Sequence, residues 1–219
     1  MSRILITGAE TGLGLALTRA FVDAGDSVAV LCRESSPELD ALAPEIHQGV
    51  DVTNAAAIYR AAAEMGDTGI DVLINNAGIM IEDDIDRIDI AAVRLQFEVN
   101  ALAPLSIALA FRRRLRRGSK VINISSRLGS VGDNTSGDDY GYRMSKAAQN
   151  MLTANLAIEL GKEDVIVTAL HPGIVATGMT AGKGTSADEV AQNLKSVIGG
   201  LTADQSGHFL DRNGAPIPW

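Results

Sequence analysis

The sequence of 219 residues predicts a parallel β-sheet with helices on both faces, the doubly wound α/β class, and three observations carry that expectation. Apolar runs of strand length alternate along the chain with amphipathic stretches of helix length, the pattern of successive right-handed βαβ units. Aromatic residues make up only 4% of the chain while small and branched aliphatic residues abound, which suits strands buried on both sides beneath close-packed helices. A glycine-rich turn, TGAETGLG, directly follows the first apolar run, at a strand-to-helix junction of the kind where such sheets bind ligands.

Taken in order, strands are expected at Arg3–Thr7, Ser27–Cys32, Ile46–Val50, Asp71–Asn75, Lys120–Ser125 and Val165–Leu170, with a short last one at His208–Leu210, about seven in all. The stretches between them give helices at Gly12–Ala24, Asn54–Met65, Ile90–Leu115, Tyr142–Leu160 and Ala187–Val197, the last capped by Ser186. Arginines crowd FRRRLRRGSK, residues 111–120, where they should complement the negative end of the Ile90–Leu115 helix before Gly118 stops it. An anion-binding patch or a subunit contact is the other reading of that run. No internal repeat, low-complexity tract or linker interrupts the pattern, so residues 1–219 are expected to fold as one domain.

Charge and composition narrow the function. A net charge of −8 disfavours nucleic acid and anionic membrane as general partners, and no apolar run approaches the ~18 residues of a membrane span. Met1 leads straight into Ile4-Leu5-Ile6 and the glycine turn, so no signal peptide is expected. With Cys32 the only cysteine, no internal disulfide forms, and a reducing cytoplasm is the expected setting. His47, His171 and His208 lie far apart without metal-ligand spacing, and no metal site is expected. The acidic runs Glu82-Asp83-Asp84 and Asp138-Asp139 lie in polar loop sequence and read as solvated. Neither G-x-S-x-G nor GK[ST] occurs, which removes the nucleophile of a hydrolase and the lysine of a phosphate-loop NTPase.

The turn TGAETGLG sets Thr7, Gly8, Gly12 and Gly14 between strand and helix. Glycines let the backbone turn tightly and approach a diphosphate, and amides at the helix start face the anion. The spacing is G-x-x-x-G-x-G, and further motifs follow in order: Asp51-Val52, NNAG (Asn75 to Gly78), Val99-Asn100, NISS (Asn123 to Ser126), YRMSK (Tyr142 to Lys146) and HPGIVAT (His171 to Thr177). On these motifs the chain resembles the short-chain dehydrogenase/reductase family over nearly all its length. The stretch SSRLGSVGDNTSGDDYGYRMSKAAQNM and the ending FLDRNGAPIPW are similar, more narrowly, to C-factor and sniffer-type carbonyl reductases. The resemblance implies a Rossmann fold, an NAD(P) cofactor, and hydride transfer between nicotinamide and a small-molecule carbonyl or alcohol.

Two tyrosines compete for the chemistry. Only Tyr142 has a lysine four residues on, Lys146, which places the two side chains on one helix face about 5–6 Å apart at Cβ. Tyr140 has Met144 there instead. A phenol ionises near ~10, and a neighbouring ammonium can lower that by ~1–3 units. The resemblance implies a tetrad of Asn100, Ser126, Tyr142 and Lys146. In it Tyr142 supplies the proton and Ser126 donates a hydrogen bond to the reacting oxygen. Lys146 lowers the Tyr142 pKa and holds the nicotinamide ribose, and Asn100 anchors a water that links the lysine to solvent. The loop between Ser126 and Tyr142 is a few residues longer than the family's usual one, and Ser125 stays open as the alternative to Ser126.

The implied cofactor site runs through Thr7, Gly8, Glu10, Thr11, Gly12, Leu13 and Gly14, then Cys32, Arg33, Asp51, Val52, Asn76, Ala77 and Gly78. It continues past Tyr142 and Lys146 to Pro172, Gly173, Val175 and Thr177. Cys32 stands where an acid would bind the adenine ribose of NAD, and Arg33 follows, which favours NADP(H) with NAD(H) possible. Glu10 in the glycine turn argues the other way. Only GMTAGKGT lies between Thr177 and Ser186, so the lid is short and the site open. The stretches Arg127–Asp139 and Ile79-Met80-Ile81 should shape an apolar pocket with an acidic rim for aldehydes, ketones or hydroxylated lipids. Two other readings are an oxidative dehydrogenase of alcohols or lipid head groups and a non-catalytic NAD(P)-sensing or signalling module. The resemblance also implies a homodimer or homotetramer paired through Ile90–Leu115 and Tyr142–Leu160.

Overall fold

The computed structural model describes residues 1–219. Its strands are β1 (Arg3–Thr7), β2 (Ser27–Leu31), β3 (Glu45–His47), β4 (Ile70–Asn75), β5 (Leu115–Ile124), β6 (Ile166–His171), β7 (Val175–Ala176), β8 (Thr185–Ser186) and β9 (Phe209–Asp211). The helices are α1 (Gly12–Val22), α2 (Pro37–Ala41), α3 (Ala55–Glu64), α4 (Ile90–Phe97), α5 (Ala103–Phe111), α6 (Tyr140–Gly161) and α7 (Ala187–Gly200). Seven strands form one sheet in the order β3-β2-β1-β4-β5-β6-β9, every pair parallel, and β7 with β8 makes a small separate ladder. The strand order reverses between β1 and β4, and the crevice beyond their carboxyl ends is where such a sheet takes a ligand.

The alternation within each strand explains the layering. Ile4 and Ile6 of β1 point into a core with Leu13, Leu17 and Phe21 of α1 and Val190, Leu194 and Ile198 of α7. Leu5 points the other way, into a core with Ile58 of α3, Ile107 and Phe111 of α5 and Leu160 of α6. Both faces are covered, which is why the strands read as unbroken apolar runs.

Several boundaries depart from expectation, each for a local reason. Helix α2 was absent from the sequence-based elements; it starts at Ser36, whose hydroxyl accepts from Leu39 N at 3.2 Å, with Pro37 in its first turn. Strand β3 stops at His47 rather than Val50, and the chain turns at Gly49, where φ is +73°. The single helix expected at Ile90–Leu115 is α4, a π-helical segment at Glu98–Leu102, and α5, ending at Phe111 in a 3-10 turn. Gly118 is not a helix stop. It has φ +83° inside a bulge of β5, where pairing with β4 slips from Ile70↔Leu115 to Val72↔Lys120. Nor do the arginines of this run serve the end of their own helix: Arg114 donates to the carbonyls of Ala62 and Gly66 at the end of α3, Arg112 pairs with Glu163, and Arg117 with Asp164.

Helix α6 is tied to the sheet by buried polar groups. Asn75 Nδ2 donates to Asn123 Oδ1 at 2.8 Å, Asn123 Nδ2 donates to Thr153 Oγ1 at 2.8 Å, and Thr153 Oγ1 donates to Gln149 O at 2.9 Å. The start of α6 is fixed from outside the helix. Asp139 precedes it in the left-handed region with φ +47° and gives no side-chain cap, while the carboxylate of Asp83 accepts from Tyr140 N at 2.5 Å and Gly141 N at 3.0 Å. Asp83, expected to be solvated, is thus the acceptor that satisfies the first amides of the helix.

Candidate active site

Beyond the carboxyl ends of the central strands lies a cleft of about 1190 Å³. Its wall includes Gly8, Glu10, Thr11, Gly12, Leu13 and Gly14, then Cys32, Arg33, Asp51, Val52, Asn76, Ala77 and Gly78, and, at the far end, Ser126, Tyr142, Lys146, Pro172, Gly173, Val175 and Thr177. Of the residues expected at the site, Thr7 and Asn100 lie beneath the wall instead. Thr7 is buried, and its Oγ1 accepts from Asn76 N and Ala77 N, both at 3.1 Å. It stitches the glycine turn to NNAG, and Asn76 Nδ2 completes the seam by donating to Thr7 O and Gly8 O.

The glycine turn fits a dinucleotide. A Cβ built on Gly14 would stand 2.1 Å from Gly8 O, and Gly8 and Gly12 have φ of +64° and +56°. Only glycine permits this path. Thr11 precedes α1 without a side-chain cap, and the first turn carries no acid, so its leading amides have no protein acceptor and suit a diphosphate. At the adenosine end, burial and then the nearby Glu10 and Asp40 carboxylates push the Cys32 thiol up to about 11, so it stays neutral. Glu10 Oε2 is buried without a partner in the same corner. Asp51 accepts from Thr53 N and Thr53 Oγ1, bonds that hold its carboxyl below the usual range.

At the other end, Asn100 occupies the π-helical segment and is fully buried. Its Oδ1 accepts from Ile79 N at 2.9 Å, and Nδ2 donates to Ile79 O at 2.8 Å and Ser145 Oγ at 3.0 Å. Both amide hydrogens are therefore engaged by protein, and the side chain fixes the backbone of Ile79 rather than presenting a donor to a water. Lys146 Nζ donates to Ile124 O at 2.8 Å and Gln149 Oε1 at 3.1 Å, and lies 5.8 Å from the centre of the Tyr142 ring. Gly78 completes this corner: a Cβ there would come 3.2 Å from Asn100 Oδ1 and 3.7 Å from Lys146 Nζ.

The electrostatics correct one expectation. Burial raises the Tyr142 pKa above its ordinary value, with Ser126 working against the rise and Asp139 adding to it. Burial also lowers Lys146, to about 7. The lysine does not depress the phenol here, because desolvation favours the neutral form of both groups. Both serines line the cleft; Ser125 Oγ donates to Asn150 Oδ1 at 2.6 Å and anchors α6, whereas Ser126 Oγ accepts from Leu128 N at 3.2 Å. His171, given no role at the site from the sequence, also lines the cleft; its Nδ1 accepts from Arg127 N at 3.2 Å, and burial takes its pKa down to about 4.

The lowered Lys146 sets a pH test. The folded chain releases this proton near 7 while the unfolded chain keeps it up to the ordinary 10.5, so between those values the unfolded state binds the extra proton and stability rises with pH. Urea unfolding across this window should show a stability slope in the wild type that exceeds that of Lys146→Met by up to about 1.4 kcal/mol per pH unit; parallel slopes would contradict the assignment.

The family model described as short chain dehydrogenase matches residues 2–188. A 1-hydroxy-2-glutathionyl-2-methyl-3-butene dehydrogenase of Rhodococcus sp. (strain AD45) is 37% identical, with all of both chains covered. The C-signal protein of Myxococcus xanthus is 40% identical over 68% of this chain and 93% of its own. Among solved structures, the carbonyl reductase Sniffer of D. melanogaster superposes with a TM-score of 0.94 at 29% identity, covering both chains fully. An NADPH-bound carbonyl reductase from chicken fatty liver gives 0.91 at 30% identity, covering 100% of this chain and 99% of that one. With its glycine turn, buried tyrosine–lysine pair and near full-length likeness to these proteins, the chain belongs to the short-chain dehydrogenase/reductase family.

Proposed function

We propose that the protein is an NADP-preferring oxidoreductase that interconverts a small-molecule carbonyl and its alcohol. The observation that carries this reading is that Ser126, Tyr142 and Lys146 meet at one end of a cleft whose other end is the glycine turn. A bound nicotinamide would supply the hydride to the carbonyl carbon, or take it from the alcohol. Tyr142 then delivers its phenolic proton to the carbonyl oxygen, so that the C=O bond becomes C–O–H with one new C–H bond. Burial helps in this direction, since a raised pKa keeps the phenol protonated until charge develops on the oxygen. Ser126 donates to the same oxygen. Lys146 would hold the nicotinamide ribose and return a proton to Tyr142, its lowered pKa letting it exchange near neutrality. Asn100 acts by holding Ile79.

Arg33, in the cleft wall beside a neutral Cys32, supports NADP, as do the NADPH-bound chicken enzyme and a Burkholderia multivorans short-chain dehydrogenase/reductase with bound NADP. Ile79, Met80, Leu95 and Val99 give the substrate end an apolar wall, with Glu82 at its edge. The same residues run in reverse would oxidise an alcohol, which the likeness to the Rhodococcus dehydrogenase favours as a second reading. Buried Cys32, the lone thiol, suits a cytoplasmic setting. For oligomeric state, the π-helical segment exposes Leu102 and α5 exposes Leu109, while α6 exposes Met144, Met151 and Ile158, each series spaced by seven. Such stripes on adjoining helices suit a second copy, giving a homodimer or homotetramer.

Tyr142→Phe should lower NADPH-dependent reduction of aldehydes by at least ~10²-fold while Tyr140→Phe keeps most of it; equal losses would reject the role of Tyr142. Tight cofactor binding without turnover of any carbonyl or alcohol would point instead to a sensor. Arg33→Asp should weaken NADPH about tenfold more than NADH in paired fluorescence titrations, the scale of one lost charge-assisted contact; an unchanged ratio refutes that contact. Light scattering should report an oligomer that Met151→Glu dissociates, and a monomeric wild type would rule the interface out.

A further inference from the structure

The cleft opens past Ser126 into a second recess of about 350 Å³, which shares Arg127, His171, Gly173 and Ile174 with it and adds, among others, Thr185, Asp211, Arg212 and Asn213. Of the nine residues lining this recess one is hydrophobic, so its occupant must be polar. The recess lies next to the proposed reacting centre, because Arg127 follows Ser126 in the chain and donates its backbone N–H to His171.

Arg212 is the feature without a structural use. Strand β9 ends at Asp211, so Arg212 projects from the carboxyl edge of the sheet on the cleft side. Its guanidinium lies across Gly173: a Cβ there would come 3.6 Å from Nη1, and Gly173 has φ +78°. The side chain is half-buried, yet Arg212 enters none of the chain's ion pairs. The nearby charges are otherwise committed. Arg127 pairs with Asp133 at 3.2 Å, and Asp211 Oδ1 accepts from the backbone of Asn213 and Ala215. Burial, with Arg127 and Arg212, takes the His171 pKa down to about 4 against the opposing influence of Asp211, which leaves the ring neutral. A half-buried planar fork with no ion-pair partner, in a recess also lined by Thr185 and Asn213, matches a carboxylate in geometry and charge.

We propose that this recess is a substrate subsite in which Arg212 binds a carboxylate remote from the reacting carbon, so that the substrates are acidic aldehydes, ketones or alcohols. The proposal rests on the oxidoreductase reading for where the reacting carbon lies, but the binding of the carboxylate does not depend on turnover. Kinetics with ω-oxo acids of six to nine carbons against their methyl esters should show a kcat/KM preference for the acid of about tenfold, the scale of one charge-assisted pair in a partly open pocket, carried by KM. Arg212→Ala should bring the ratio close to one and Arg212→Lys should keep part of it, both variants melting with the wild type. In parallel, calorimetric titration of NADP-loaded protein with hexanoate, and with hexanamide as its neutral counterpart, reads the subsite without chemistry. Hexanoate binding that needs Arg212, with no oxo compound turned over, would uphold the subsite while rejecting the oxidoreductase reading. Acid and ester used equally, or hexanoate bound no better than hexanamide, overturns the proposal.

Discussion

Helix α6 begins on a carboxylate that belongs to another part of the chain, and the geometry of the site follows from that attachment. Tyr142 and Lys146 lie in its first two turns, where a helix frays unless its leading amides find acceptors. Asp83, in the loop after β4, supplies them. That loop is itself pinned at Ile79 by Asn100 and at Ile81 by Gln96, which accepts from Ile81 N and donates to Ile81 O. Gly141 closes the assembly, since a Cβ there would stand 2.5 Å from Gln96 Nε2. The loop after β4 and the start of α6 are therefore joined in one polar unit.

Within that unit desolvation governs how Tyr142 and Lys146 titrate. Removing Tyr142 and Lys146 from water favours the neutral form of each, so an uncharged phenol sits beside an amine poised near neutrality. In the proposed reaction the phenol would stay neutral until negative charge grows on a substrate oxygen nearby, so that stabilisation falls on the transition state more than on the ground state.

Much of this was legible in the sequence because backbone constraints leave residue signatures. The glycine turn is readable since no other residue survives 2.1 Å from Gly8 O, and the parallel core is readable because both faces of Ile4 to Ile6 are buried. The order of motifs located the cleft wall almost completely. What escaped were contacts set by tertiary placement. Nothing local distinguishes Asp83 from its neighbours Glu82 and Asp84, and its role exists only once the loop reaches α6. The arginines after Phe111 looked like helix-end charges because the strand behind them is interrupted by the bulge at Gly118, which hid the start of β5. The Tyr142 shift was missed in sign because spacing shows a neighbouring amine but not how dry the pair is.

The π-helical segment at Glu98–Leu102 has a meaning for chain length. A regular α-helix advances about 100° per residue, and a π turn absorbs one residue more than that geometry needs. A version of the chain shorter by one residue here could run α4 into α5 without a break and still set Ile107 and Phe111 against the sheet. The π turn carries Asn100 and Ala101 inward, where both are buried. It marks a place where the reading frame of the helix has been displaced so that a carboxamide can reach across to a neighbouring loop.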